Sequence, residues 1–275
     1  MTLPTTGADE PEFQSGADPH SSLIQILANL IGFNTTSQNS NLELIYYVRD
    51  YLSTYGVESH LVYDELADKA NLYATIGPTH IGGMMLSGHT DVVPVEGQQW
   101  SIDPFVLNQT EGKIFGRGSA DMKGFIACVL DKVPEIVKAD LCKPIHIALS
   151  YDEEVGCIGV RGLLSTMESM TVLPAMAIIG EPTNMDIVVA HKGKRAIRVV
   201  VNGASSHSAY PTAGVNAIDF ASRLVAHIGT LQKQIASEGP FDAGYQVPYS
   251  TLHVGTIKGG TALNIVPNRC SFDFE

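Results

Sequence analysis

A histidine and an aspartate stand one residue apart in LSGHTDVVP, directly after a short apolar run that ends in glycine. Residues i and i+2 of an extended chain project to the same side, so His89 and Asp91 can reach one another or one shared object. An imidazole oriented by a carboxylate is a common metal-ligand arrangement. The same pair at a solvated strand end would be inert, so the remaining sequence has to decide. Three further acidic clusters follow expected strands: Asp121 in GRGSADMKG, Asp152, Glu153 and Glu154 in SYDEEVG, and Glu181 in IIGEPTN. In an open α/β sheet, ligands bind at the carboxyl ends of the strands, so these clusters converge on one crevice.

Carboxylates crowded in a cleft raise one another's pKa unless a positive charge compensates them, and divalent cations supply it. Oxygen and imidazole donors without cysteine suit zinc, manganese or cobalt, and a shared carboxylate can hold two ions roughly 3.5–4 Å apart. Each cluster alone would read as a solvated loop. Their repeated position at strand ends argues otherwise.

The elements that must position them are legible as an α/β pattern. SSLIQILANLI and NLELIYYVRDYLSTYG read as helices, the first behind a serine cap and the second up to a terminating glycine. ESHLVYD, NLYATIG, MMLSG and PIHIALSY read as strands, and SADMKGFIACVLDKVPEIVKA as a long helix that Pro134 kinks or ends. The mostly apolar PAMAIIGEPT suits a strand in the middle of a sheet covered on both faces. Beyond HKGKR a strand, a long helix and two strands suggest a smaller α+β domain. The expected organisation is a tail over residues 1–20, a metal-binding domain over 21–192 and an inserted domain over 193–275.

The totals narrow the classes of function. With 17 Lys+Arg against 29 Asp+Glu the net charge is -12, which repels nucleic-acid backbones and anionic membrane surfaces. No stretch is long and apolar enough to span a bilayer, and no signal peptide starts the chain. Cys128, Cys142, Cys157 and Cys270 form no CxxC pair, so they read as buried or incidental thiols of a cytoplasmic protein.

Over residues 21–275 the sequence resembles the di-zinc metallopeptidase and amidohydrolase family. That family includes acetylornithine deacetylase, succinyl-diaminopimelate desuccinylase, carboxypeptidase G and aminoacylases. SGHTDVVP, GRGSADMKG, DEEVG, GEPTN, HKGKR, SSHSAYPTAGVNAI and TALNIVPNR carry the resemblance. LIGFNTTSQNSNLELIYYVRDYL, KANLYATIGP and GTIKGGTALNIVPNRCSFDFE are most similar to the acetylornithine deacetylases.

The resemblance implies a mixed-sheet, aminopeptidase-like catalytic domain carrying an inserted dimerisation domain, and hence a homodimer acting on a small N-acyl amino acid. Two divalent ions, zinc with cobalt as an alternative, are implied. His89, Asp121 and Glu181 would hold the first, and Asp121 and Glu154 the second. Asp91 would orient His89, Glu153 would be the general base, and His207 would reach a partner subunit's site to stabilise the oxyanion. Asn264 would bind substrate, with Gly259 and Gly260 allowing close backbone approach.

The implied reaction is hydrolysis of N2-acetyl-L-ornithine in arginine biosynthesis. Another acyl-amino-acid amidohydrolase, a dipeptidase or an inactive interaction module are the alternatives. GRGSAD departs from a dinucleotide fingerprint at Asp121, and no GxSxG elbow exists. The family's further metal-binding histidine is not found here, nor is its carboxylate-binding arginine placed. CSFDFE stops without a turn, so the chain is expected to be C-terminally truncated, with a weak second metal site and little activity of its own. The other histidines, His191 the least settled, are expected to be structural or superficial.

Overall fold

The computed structural model describes residues 21–275. The expected tail, with His20, lies outside the described residues. The chain divides into one compact unit ending at Ile187 and a second from Val188 to Glu275, a few residues ahead of the expected boundary.

In the first unit, helices α1 (Ser21–Gly32) and α2 (Leu42–Thr54) precede strands β1 (Ser59–Tyr63), β2 (Ala70–Ile76) and β3 (Met84–His89). A small hairpin, β4 (Asn108–Thr110) and β5 (Lys113–Phe115), leads to α3 (Lys123–Lys138). Strand β6 (Ile145–Ser150), helix α4 (Val160–Glu168) and strand β7 (Met176–Ile179) complete it. The five-stranded sheet has the order β1-β2-β6-β3-β7. Its β1/β2 and β2/β6 pairs are antiparallel, and its β6/β3 and β3/β7 pairs parallel.

Apolar residues at helical spacing explain the layers. Leu30 and Ile31 of α1, Leu44 and Ile45 of α2, and Ile126 and Leu130 of α3 are buried with Leu72 and Ile147 of the sheet. Each such side chain contributes about 1.5–3 kcal/mol relative to exposure. On the other face Leu163 and Met167 of α4 pack on Tyr73 and Ala148.

Two expectations are corrected here. Strand β7 lies at a sheet edge with all four residues exposed, not in the middle of a covered sheet. Its apolar composition gave no information on strand order. Pro134 does not end α3, which continues to Lys138. The Leu130 carbonyl, which an N–H at position 134 would have served, instead accepts a bond of 3.0 Å from the Tyr51 hydroxyl. Burial, then the neighbouring Tyr55, raises the Tyr51 pKa above its usual value, so the phenol remains a donor. Helix α3 also begins at Lys123, leaving Ser119 to Met122 in the preceding turn.

The second unit matches its expected β, α, β, β order. β8 (Ile197–Asn202), α5 (Ala217–Glu238), β9 (Val254–Gly259) and β10 (Arg269–Phe274) form an antiparallel sheet of order β8-β10-β9 with one helix. Ala217 and Ala221 of α5 are buried with Cys270 and Phe272 of β10. Asn216 caps α5, its side-chain oxygen accepting the amides of Ile218 at 2.9 Å and Asp219 at 3.3 Å. The thiols are all free, but only Cys270 is buried; Cys128, Cys142 and Cys157 are exposed.

Replacing Tyr51 by Phe should cost about 1–3 kcal/mol in urea denaturation, because it strands the Leu130 carbonyl. In a Pro134→Ala background, whose restored N–H can serve that carbonyl, the cost should shrink. Equal costs in both backgrounds would contradict this account of how the helix tolerates proline.

Candidate metal centre

Strand register brings the acidic clusters together. His89, the last residue of β3, pairs with Ser150, the last of β6, and Ser87 pairs with Ile179 at the end of β7. The three parallel strands therefore finish nearly level. His89, the Asp152–Glu154 run and Glu181 leave the same edge of the sheet, while Asp121 arrives from the turn ahead of α3. Gly180 is needed just before Glu181, since a Cβ there would come within 2.0 Å of the Phe125 ring.

His89 is the buried centre of this group, with 2% of its surface exposed. Its Nδ1 lies 2.9 Å from the Asp91 backbone carbonyl, which fits an N–H donating to that oxygen and leaves Nε2 as the ligating nitrogen. Nε2 lies 3.0 Å from Asp121 Oδ1, 3.8 Å from Glu181 Oε1 and 4.0 Å from Glu153 Oε2. Two overlapping donor groups result, His89 with Glu153 and Glu181, and His89 with Asp121 and Glu154, each with its donor atoms within 4.8 Å of one another. A cavity of about 240 Å³ opens beside Asp121 and Glu154, with Arg117 and Ser119 also in its wall.

The electrostatics show that the group lacks positive charge. Among the described residues no lysine or arginine lies within ion-pair distance of Asp121, Glu153, Glu154 or Glu181. Burial, then the charge of Asp121, raises the Glu154 carboxyl above its ordinary value. Glu181 is raised by burial and by the charges of Asp121 and Glu153, against the opposing pull of His89. Burial alone would lower the His89 pKa, but Asp91 and Glu181 outweigh it and push the imidazole up to about 9. Glu154, Glu181 and the His89 imidazole alike hold protons more tightly than usual. A divalent cation satisfies the same demand, and this mixed nitrogen and oxygen donor set suits zinc or cobalt.

Asp91 does more than face the histidine. Its Oδ1 is 3.5 Å from His89 Nδ1, farther than its own backbone carbonyl. The carboxylate instead accepts the backbone amides of Glu153 at 3.0 Å and Glu154 at 3.2 Å, and the Ser37 hydroxyl at 2.8 Å. Burial would raise the Asp91 pKa, yet the bonds from His89, the Glu153 amide and Ser37 lower it, so the carboxylate stays charged.

Of the residues singled out in the sequence, His89, Asp91, Asp121, Glu153, Glu154 and Glu181 meet at this edge. The geometric donor groups place Glu153 beside Glu181, where the expected first set had Asp121. His207 and Asn264 belong to the second unit, where they are neighbours and exposed: the Ser208 amide donates to the Asn264 carbonyl at 3.0 Å, and His207 bridges to Ile265. His146 is buried in the core, its Nδ1 2.8 Å from the Tyr73 hydroxyl.

Sequence reading missed Ser37, Lys69 and Lys123. Lys123 is fully buried, donates to the Phe33 carbonyl at 2.7 Å and is pushed by burial to about 7. Its presence in GRGSADMKG was the available signal; Ser37 and Lys69 lie far from every acidic cluster in the chain.

Residues 85–264 match the model of Peptidase family M20/M25/M40. The chain belongs to this family. Acetylornithine deacetylase of Pasteurella multocida is 34% identical over 261 residues, which are 92% of this chain and 67% of that protein. Acetylornithine deacetylase of Proteus mirabilis is 36% identical over 240 residues, 87% of this chain and 61% of that one. The chain thus spans about two thirds of the length of these relatives.

Among solved structures, an M20 family metallo-carboxypeptidase of Sulfolobus solfataricus matches with a TM-score of 0.67 and 17% identity, over 92% of this chain and 70% of that one. A tripeptidase of Staphylococcus aureus matches with a TM-score of 0.62 and 19% identity, over 92% and 65%. These likenesses bear out the fold class, a mixed α/β sheet unit with a small antiparallel one. M20 proteins typically bind two metal ions, and the donor groups described above supply candidate ligands.

Because one imidazole serves both donor groups, a zinc titration followed by calorimetry should show one tight ion per chain and a second at least about tenfold weaker. Asp91→Ala should weaken the tight site by about 10–100-fold, the range for loss of a residue that orients ligands. Two equally tight ions, or an unchanged affinity in that variant, would contradict this arrangement.

Proposed function

We propose that the protein is a metal-dependent amidohydrolase that removes the acyl group of an N-acyl amino acid, with N2-acetyl-L-ornithine as substrate and L-ornithine and acetate as products. The observation that carries this reading is the acidic cluster around His89 at three level strand ends, in a chain 34–36% identical to two acetylornithine deacetylases.

His89, Asp121 and Glu181 would hold one divalent ion, and Asp121 and Glu154 would hold the other. When bound, such ions supply Lewis acidity toward the amide carbonyl and lower the pKa of water. Glu153 takes a proton from the attacking water and returns it to the departing amine. The carbon–oxygen bond forms first, placing negative charge on the former carbonyl oxygen, and the carbon–nitrogen bond then breaks as the amine nitrogen takes the proton, giving a carboxylate and a free amine. Asp91 keeps Glu153 and Glu154 in place through their amides. His207, from a neighbouring subunit of a dimer formed through the smaller domain, donates to the oxyanion, and Asn264 binds the substrate. The domain limits of 21–192 and 193–275 and a cytoplasmic location belong to the same reading.

In the zinc- or cobalt-loaded full-length protein, Glu153→Ala should abolish turnover while nearly preserving metal content, and Asp121→Ala should release both ions. A panel of N-acetyl and N-succinyl amino acids and dipeptides identifies the substrate. Preference for a succinyl compound or a dipeptide would replace acetylornithine with that substrate, and metal loss in Glu153→Ala would make Glu153 a ligand. Mixing His207→Ala with Glu153→Ala subunits should recover some activity, since one site of the mixed dimer has both groups; no recovery after proven exchange contradicts the role in trans.

A further inference from the structure

We propose that Lys69 is a positioning residue for Glu153 and Glu154, joined to them by a strap that runs through Asp152, Ser37 and Asp91. Lys69 stands immediately ahead of β2, where its backbone amide is fixed by Asp64 Oδ1 at 3.0 Å. Its ammonium lies 2.6 Å from Asp152 Oδ1 and also donates to the Ser37 carbonyl. The pair is largely shielded, with side-chain exposures of 14% and 16%. The Ser37 hydroxyl donates to Asp91, whose carboxylate accepts the amides of both glutamates. One cation therefore ties together the segment between α1 and α2, the turn before β2 and the loop after β6.

Asp152 shows what this tie holds. It adopts a φ of +54°, the left-handed region, which is uncommon outside glycine and which aspartate enters when its short carboxylate finds a partner. Return of Asp152 to extended backbone would swing the next residue, Glu153, away from Asp91. Lys69 opposes that rotation from one side, through the carboxylate, and Asp91 opposes it from the other, through the amides.

The consequence for turnover rests on the reading of Glu153 and Glu154 given above; the strap itself does not. Hydrogen exchange of these two amides, followed by NMR on the metal-free protein, separates the two. In Lys69→Met the Glu153 and Glu154 amides should exchange about tenfold faster while those of β6 keep their rates, and zinc affinity should fall about tenfold. Lys69→Arg should restore most of both. Should Lys69→Met fail to fold, Ser37→Ala removes the second arm and should accelerate the same two amides. Unchanged exchange of these amides, or an acceleration spread evenly through β2 and β6, would overturn the proposal. Faster exchange and weaker zinc binding in Lys69→Met would uphold the strap even if Glu153→Ala retained turnover, a result that would overturn only the assignment of Glu153 as the base.

Discussion

Four carboxylates and one imidazole meet beside the ends of β3, β6 and β7, with no lysine or arginine within ion-pair distance of those carboxylates among the described residues, and the local architecture follows from how that excess of negative charge is held. Left to protons, the cluster raises the pKa of Glu154, Glu181 and His89 together. A divalent cation replaces those protons with one concentrated charge. The sheet supplies the geometry, because parallel pairing of β3 with β6 and β7 sets three strand ends nearly level.

Asp91 is the point at which this charge is organised. A buried carboxylate needs donors for its oxygens, and Asp91 finds them in two consecutive amides and a serine hydroxyl. The amides belong to the two glutamates of the cluster. Satisfying Asp91 and positioning Glu153 and Glu154 are thus one event. Its backbone carbonyl meanwhile holds His89 Nδ1, so a single residue sets both the imidazole and the loop opposite it.

The parts of this arrangement that sequence made visible are those with a local signature. His89, Glu153, Glu154 and Glu181 each follow an apolar strand, and strand-end placement is a local property; Asp121 reaches them from the turn ahead of α3. The second unit was legible for the same reason, with clean strand and helix periods around Asn216 and Gly239. What was not legible depends on partners distant in the chain. Pro134 looked like a helix breaker because nothing near it announces the Tyr51 hydroxyl. The apolar residues of β7 said nothing of its edge position. Lys69 carried no signal as a member of the site, since its partners Ser37 and Asp152 lie 32 and 83 residues away.

The central claim, that this cluster is a metal centre, is tested most directly by anomalous diffraction at the zinc edge from crystals of the protein grown with zinc. The account predicts an anomalous peak within bonding distance of His89 Nε2 and of carboxylate oxygens from Asp121 and Glu181, at about 2.0–2.2 Å. An empty cluster at saturating zinc, with the carboxyls protonated or paired to a lysine or arginine instead, would contradict it.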